Sequence, residues 1–257
     1  MISDSKGKTA RPGRFPWAAV ILGLIGVAIL VSLGSWQVRR LAWKEALLAA
    51  IDQRIHSQAR PLADVEKQFV ETADVDYWPV TVEGVFEHDK ERHFLATHDG
   101  EAGFYVYTPL ELADGRFLLV NRGFVPYDLK DQAKRPQGDV AGVVQVTGLA
   151  RNPLAEKPSS LVPDNDLAKD VFYWKDRDAM AKSVGLDPAS LVPFFVDADK
   201  SPNPGGLPVG GVTIIDLPNN HLQYAVTWYG LAAALAVVLG TWLWRQRRGR
   251  SPSDLTG

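Results

Sequence analysis

Two long apolar runs dominate the hydrophobic pattern of the chain, and one lies near each end. Residues 16–36 read PWAAVILGLIGVAILVSLGSW, residues 222–244 read LQYAVTWYGLAAALAVVLGTWLW, and neither run contains a formal charge. Each run supplies about the 20 residues that a helix needs to cross the hydrocarbon core of a bilayer. Tryptophans lie near the ends of both runs, where indole rings prefer the headgroup region. The pattern therefore predicts two transmembrane helices.

Between the runs, the pattern changes from helical spacing to short alternating segments. Residues 36–58 repeat apolar side chains at helical spacing, which predicts that the first span continues as a helix until Pro61 ends the pattern. A hairpin turn is predicted at residues 113–115 and a short helix over residues 176–184. Alternating segments typical of strands occupy residues 78–86, 92–98, 104–112, 116–125, 143–150, 193–199 and 212–216.

This pattern predicts a membrane protein in which two transmembrane helices flank a mainly antiparallel β (α+β) extracytoplasmic domain. Basic residues precede the first span and follow the second, so both termini are expected in the cytoplasm. Arg39, Arg40 and Lys44 oppose this orientation, but a long intervening segment crosses largely regardless of its charge. The predicted division is a tail at 1–15, transmembrane helices at 16–36 and 221–244, the extracytoplasmic domain at 37–220 and a second tail at 245–257.

The N-terminal run is expected to be a retained anchor. Its apolar core is longer than that of a usual signal peptide, and no A-x-A cleavage site closes it. A mitochondrial transit peptide is disfavoured, because the short head carries Asp4 and two prolines. We therefore expect a multi-pass protein of the bacterial inner (plasma) membrane with its main domain in the periplasm.

Composition narrows the chemistry that the chain can perform. The formal net charge of −2 argues against a nucleic-acid partner. The absence of cysteine excludes disulfides, thiolate catalysis and cysteine-ligated metals, and two methionines make a thioether-based copper carrier a poor fit. No P-loop, nucleophile elbow or zincin motif occurs. We therefore expect no enzymatic activity.

The central histidines form a cluster in the sequence. If residues 89–92 turn a hairpin, His88 and His93 lie opposite each other on two strands and offer two metal ligands. His98 is five residues from His93 and points to the other face of a strand, so three ligands do not converge. Surface histidines are therefore the favoured interpretation.

The VNRGF segment, residues 120–124, ends an apolar strand with two residues of special interest. Gly123 is expected to allow a bulge or a tight turn. Arg122 is expected to bind a carboxylate, either within the domain or on a ligand, and the role within the domain is favoured.

His221 opens the second span and is the most informative single residue. At about 100° per residue, His221, Tyr224 and Trp228 share one helical stripe. An imidazole above aromatic rings suits a flat apolar ligand that carries an iron, although an interfacial histidine in an aromatic belt accounts for the same pattern. Arg39 and Arg40 either pair with lipid phosphates or clamp an anionic group of such a ligand.

Three motifs make the chain resemble the Surfeit locus protein 1 family. They are GSWQVRRLAWK at 34–44, VNRGFVP at 120–126 and NNHLQYAVTWYGLA at 219–232, of which the last is the most specific. The resemblance covers nearly the whole chain between its termini. Family members usually have tryptophan at the position of Phe124, and this change keeps an aromatic ring.

The resemblance implies an assembly factor for haem–copper cytochrome c oxidase that aids delivery or insertion of haem a into the catalytic subunit. It implies that His221 is the axial ligand of a transient haem a. We add the inference that Tyr224 and Trp228 contact the ring while its propionates face water or Arg39 and Arg40. Expected partners are the oxidase catalytic subunit, membrane lipid and, as a further candidate, haem a synthase. The alternative is a membrane scaffold that stabilises the oxidase subunit without binding haem.

The haem and scaffold interpretations differ in which face of the second span is free to bind a ligand. Small or polar residues form one stripe at Gln223, Thr227, Gly230 and Ala234, and a second stripe comprises Ala232, Ala236 and Gly240. Small residues let helices approach closely. We expect the first stripe to pack on the first span, which would leave the His221 stripe free for haem and the oxidase subunit.

Overall fold

A computed structural model describes residues 17–213, 215 and 218–248, which divide into two compact units. The helix unit comprises the described residues up to position 48 and from position 218 onward, and the barrel unit comprises those between 49 and 215. The helices are α1 (Trp17–Ile55), α2 (Leu62–Thr72), α3 (Arg177–Ser183) and α4 (His221–Arg248).

Two of these helices are membrane-capable. α1 has 39 residues, α4 has 28, and both contain an apolar window long enough to cross a bilayer. Only 6% of each window is buried within the protein, so the apolar side chains face outward. Such a large exposed apolar surface is typical of contact with lipid. The predicted division into tails, spans and domain stays a prediction, because helix ends alone do not locate the bilayer.

The barrel unit is built on one seven-stranded sheet. Its order is β1-β2-β6-β7-β5-β4-β3, and an added pairing between β2 and β4 closes five of the strands into a barrel. Only β1–β2 and β5–β7 are parallel, so the prediction of a mainly antiparallel β domain is confirmed. The strands are β1 (Arg60–Pro61), β2 (Pro79–Phe86), β3 (Arg92–His98), β4 (Glu101–Glu111), β5 (Phe117–Pro126), β6 (Val143–Arg151) and β7 (Phe195–Ala198).

Two segments differ from the sequence prediction. Residues 212, 213 and 215 form no strand, so a seventh alternating segment does not join the sheet within the described residues. The hydrophobic pattern does not predict α2, because a proline commonly ends a helical pattern. Pro61 instead precedes the first residue of α2, where its fixed φ and missing N–H cost nothing.

α2 covers the barrel core. Val65 is fully buried in the main apolar cluster, and the ring of Phe69 lies 5.8 Å from that of Phe194. The cluster also contains Val80, Leu118 and other inward-facing residues from alternate strand positions. Burial of this face of α2 supplies the stabilisation that a short isolated helix lacks.

The predicted bulge at Gly123 is confirmed. The register between β4 and β5 shifts after Val106, so Arg122 is the extra residue between Asn121 and Gly123. Gly123 has a φ of 126°, and a Cβ there would collide with the backbone carbonyl of Val209. Only glycine fits this position.

The predicted histidine hairpin is wrong. His88 lies in a 3₁₀ turn, and β3, which contains His93, pairs with β4 instead of β2. The surface interpretation is also wrong for His93, which is 5% exposed. Among the described residues no group of histidine and carboxylate side chains could hold a metal ion, although the carboxylates that accompany His93 are themselves informative.

His93 is held between two carboxylates. Its Nδ1 lies 2.5 Å from Oδ2 of Asp170, and its Nε2 lies 3.3 Å from Oε1 of Glu91. Burial acts to lower the pKa of His93, but hydrogen bonds with Asp170 and Glu91 outweigh it and raise the pKa above the ordinary value. Burial acts to raise the pKa of Glu91, but His93 and Arg135 together lower it.

We expect the barrel to lose stability as pH rises above the ordinary histidine pKa. The pKa of His93 is raised in the folded state, so its protonation stabilises the fold. This contribution to the free energy of unfolding is complete below the unfolded pKa of about 6.5 and is lost as pH rises from there through the folded pKa. The lowered pKa of Glu91 gives a contribution that is lost only at acid pH, below about 4.5. Thermal unfolding of wild type and Asp170→Asn between about pH 6 and 9 tests this, since asparagine tolerates the left-handed backbone at this position. Parallel pH curves for the two proteins would contradict the assignment.

Candidate functional site

The two membrane-capable helices pack closely and run antiparallel. Leu239 lies over Gly23, where even a methyl group would be 2.9 Å from Cδ2 of the leucine. Tyr229 lies over Gly34 in the same way, at 3.0 Å. The glycines of α1 therefore form the hollows that receive large side chains from α4.

The face of α4 that meets α1 is not the one expected. Ala225 and Ala232 are its buried residues, and they share a stripe with His221. The stripe predicted to pack on the first span is exposed at all four of its positions, which are Gln223, Thr227, Gly230 and Ala234. Large side chains of α4 also lie over glycines of α1 at this face. The His221 stripe thus faces the first helix.

Two polar contacts join α1 and α4 near the end where α4 begins. The hydroxyls of Ser35 and Tyr229 lie 3.0 Å apart. Nδ1 of His221 lies 2.7 Å from Oε1 of Gln37, which is 8% exposed. Polar groups between apolar helices are costly unless they find partners, so these pairs fix the register of the two helices.

The bond to Gln37 sets the tautomer of His221. An amide oxygen only accepts, so Nδ1 of the imidazole donates this hydrogen bond, and in the neutral ring Nε2 carries the lone pair. Within the described residues, Nε2 has no hydrogen-bond partner. A histidine whose other ring nitrogen donates to an oxygen is the usual arrangement of a metal ligand. The donor set therefore fits an axial ligand of haem iron.

The other predicted site residues do not converge on His221. Tyr224 is 53% exposed, and Trp228 is half-buried. The guanidinium of Arg40 lies 3.8 Å from the ring centre of Trp43, and Arg39 is exposed. Among the described residues, no hydrogen bond or ring contact joins any of these four to His221.

Gln37 is the residue of this site that sequence reasoning missed. It lies inside the GSWQVRR motif, of which the sequence analysis assigned a ligand-binding role only to the two arginines. The available signal was a polar, uncharged side chain at the end of an apolar helix, where polar residues commonly serve a function.

Fold and site together define a class of protein. One unit is a pair of membrane-capable helices with a polar His221–Gln37 contact at one end, and the other is a closed β-barrel domain with a covering helix. The SURF1 family profile matches residues 24–233. The chain therefore belongs to the SURF1 family, which confirms the predicted resemblance.

Individual relatives agree with this assignment. The chain is 40% identical to Surfeit locus protein 1 of Rattus norvegicus over 225 residues, which cover 80% of this chain and 70% of the relative. It is 38% identical to Surfeit locus protein 1 of Homo sapiens over 221 residues, or 79% and 70% of the two chains. A SURF1-like protein of Monosiga brevicollis is 34% identical over 267 residues, or 98% and 95%. The similarity thus includes both helices and the barrel.

Proposed function

We propose that this protein is an assembly factor for haem–copper cytochrome c oxidase and that it aids delivery or insertion of haem a into the catalytic subunit. Family membership supports the assembly role. The role in haem delivery rests on one observation, the 2.7 Å contact that leaves Nε2 of His221 available. The proposed role requires binding and release, and we propose no catalysed reaction.

The residues of the helix pair would share the work of holding haem a. When bound, haem a would supply an iron that takes a nitrogen ligand, and His221 would hold it. Gln37 would orient the His221 ring, and the exposed ring of Tyr224 would offer an apolar contact surface. We propose that Arg39 and Arg40 pair with the propionates. Arg40 lies over the ring of Trp43 in the structure.

A scaffold function without haem is the second candidate, and one observation favours it. The His221 stripe of α4 lies against α1, so the histidine already has a structural role in joining the helices. The visible spectrum of detergent-purified protein from cells that make haem a separates the two candidates. Haem delivery predicts a Soret band, whereas a scaffold gives none.

The assembly role is tested in cells that lack this protein but still make haem a. We expect their membranes to contain less assembled oxidase, measured as oxidase activity and as haem a bound to the catalytic subunit. Wild-type protein should restore both, and the catalytic subunit should co-purify with it. Haem a synthase is the other partner to be sought in the same preparation. Unchanged oxidase content would reject the proposal.

We propose the bacterial inner membrane as the location, with both termini cytoplasmic and the barrel domain in the periplasm. The support is the basic flanks of the two spans. Reporters fused after Gly257 should behave as cytoplasmic, and reporters inserted within residues 126–141 should behave as exported. A cytoplasmic signal from the inserted reporter would reverse the proposed orientation.

A further inference from the structure

A groove lies on the barrel unit where β6 and β7 diverge. Its volume is about 180 Å³, and it is half open to solvent. The first half of β6 forms one wall, and residues 198–204 form the other. Phe86 and Arg122 also line it. The groove therefore combines an apolar surface with one buried cation.

Arg122 lacks the carboxylate partner that the sequence led us to expect within the domain. It is 2% exposed, and no carboxylate oxygen lies within ion-pair distance among the described residues. Its terminal nitrogens donate instead to the carbonyl of Gly138 at 2.5 Å, to Oδ1 of Asn203 at 3.2 Å and to Nδ1 of His88 at 3.2 Å. The Nε donor has no partner in this part of the chain. A buried guanidinium held only by neutral groups is a ready partner for an anion.

Burial lowers the basicity of Arg122. It lowers the pKa of Arg122 to about 10, while the more distant carboxylates of Glu91 and Asp139 act in the opposite direction. The guanidinium therefore remains charged at neutral pH. The guanidinium is already desolvated in the folded protein. An incoming carboxylate therefore forms a strong hydrogen-bonded contact without a further desolvation cost for the arginine.

The β6 wall of the groove presents an open backbone edge. β7 pairs with β6 only from Gly148 to Arg151, and a last bond runs from the N–H of Asp199 to the carbonyl of Thr147 at 3.0 Å. Backbone direction repeats every second residue, so the N–H and C=O of Gln145 point to the same side as those of Thr147. On that side they have no partner among the described residues, whereas β2 occupies the opposite side.

We propose that this groove binds an extended peptide segment of a partner protein that ends in a carboxylate. The peptide adds as a strand to the open edge of β6 at Gln145, and its carboxylate is bound by Arg122. Strand addition supplies affinity through backbone hydrogen bonds, and the arginine selects a chain end. The apolar groove residues, which include Phe86, Val144 and Pro202, contact the peptide side chains. This inference does not depend on haem binding, because every residue involved lies in the barrel unit.

The probe is a library of random heptapeptides with free C-terminal carboxylates, selected on the full-length protein in detergent. Peptides that bind wild type are then made as the free acid and as the C-terminal amide. We expect amidation to weaken binding about tenfold or more, since a charge-assisted hydrogen bond is lost. This comparison uses wild-type protein only, so it does not depend on how any variant folds.

A matched pair of variants tests strand addition. Gln145→Pro removes the outward N–H at a strand position where no ladder bond to β2 is lost, and Gln145→Thr removes the same side chain but keeps the N–H. We expect Gln145→Pro to weaken peptide binding about tenfold and Gln145→Thr to change it by less than about threefold. Circular dichroism and thermal unfolding check that both barrels are intact.

Three results would overturn the proposal. They are a library from which nothing binds wild type, equal affinity for acid and amide peptides, and equal binding by the proline and threonine variants. Butyrate separates a small-molecule site from a peptide site. If butyrate binds in the micromolar range while no peptide does, the groove takes small acids and the peptide proposal is rejected.

Discussion

Under the proposed function, replacing His221 with alanine should remove most of the bound haem a, while the level of the protein in the membrane stays near that of wild type. The variant loses the Nε2 lone pair but little packing volume, and a histidine at the edge of a span contributes little to insertion. Gln37→Ala should reduce haem affinity about 10- to 100-fold, the usual effect of removing the partner that orients a ligating histidine. Trp228→Ala should weaken retention more mildly, because it removes a contact surface and leaves the ligand in place.

The matched control for this series is Gln223→Ala. Gln223 lies in the first turn of α4, as His221 does, but it is exposed and its side chain makes no hydrogen bond to α1 among the described residues. The measurement is haem per protein in preparations from cells that make haem a, read from the Soret band. Equal haem in wild type and His221→Ala would remove this residue from the site and favour the scaffold function.

Arg135→Met should destabilise the barrel by about 3–5 kcal/mol, the usual cost of removing one partner of a buried ion pair. Arg135 is 3% exposed and bonds Oε1 of Glu91, which in turn faces His93. Without the guanidinium, the buried carboxylate of Glu91 keeps only His93 as an ionisable partner among the described residues. For a domain of this size the thermal midpoint should fall by roughly 6–20 °C.

The double variant Glu91→Gln with Arg135→Met gives this prediction its internal check. Removal of both charges should recover part of the lost stability, because the side chain at position 91 is then neutral and no longer needs Arg135 as a partner. Lys134→Ala is the control, since Lys134 is the neighbouring cation and its side chain is exposed. Additive destabilisation in the double variant would contradict the proposed coupling.

The sequence predicted those parts of the fold that depend on local pattern. Charge-free apolar runs identified both membrane-capable helices, and alternation located the strands from β2 to β7. The bulge at Gly123 was also predictable, because a glycine within an apolar strand often marks a bulge or a close approach of another backbone segment. The predicted short helix is also present as α3, and the side chain of Asp176 caps it by accepting from the N–H of Ala179.

The missed features depend on contacts between residues far apart in the chain. His93 pairs with Asp170, which lies 77 residues further along the chain, and no spacing rule contains that information. The face of α4 was misassigned because small residues were sought on both helices. In the structure the buried residues of α4 are Ala225 and Ala232, on the His221 stripe, and Tyr229 and Leu239 of α4 lie over glycines of α1. Gln37 acquires its meaning only when α4 places His221 beside it.

The position of β7 has a consequence for how the chain folds as it is synthesised. β7 is the last strand of the barrel in chain order, yet it lies in the middle of the sheet, between β6 and β5. The neighbours β3, β4 and β5 form a local meander that can assemble early, whereas Val196 must travel back across a long connection to pair with Val120. Until then both β5 and β6 present bare edges, which other chains can join. We expect pulse-labelled hydrogen exchange to show protection of the meander amides well before those of β7. The nascent protein is then most exposed to proteases and aggregation immediately before α4 is synthesised.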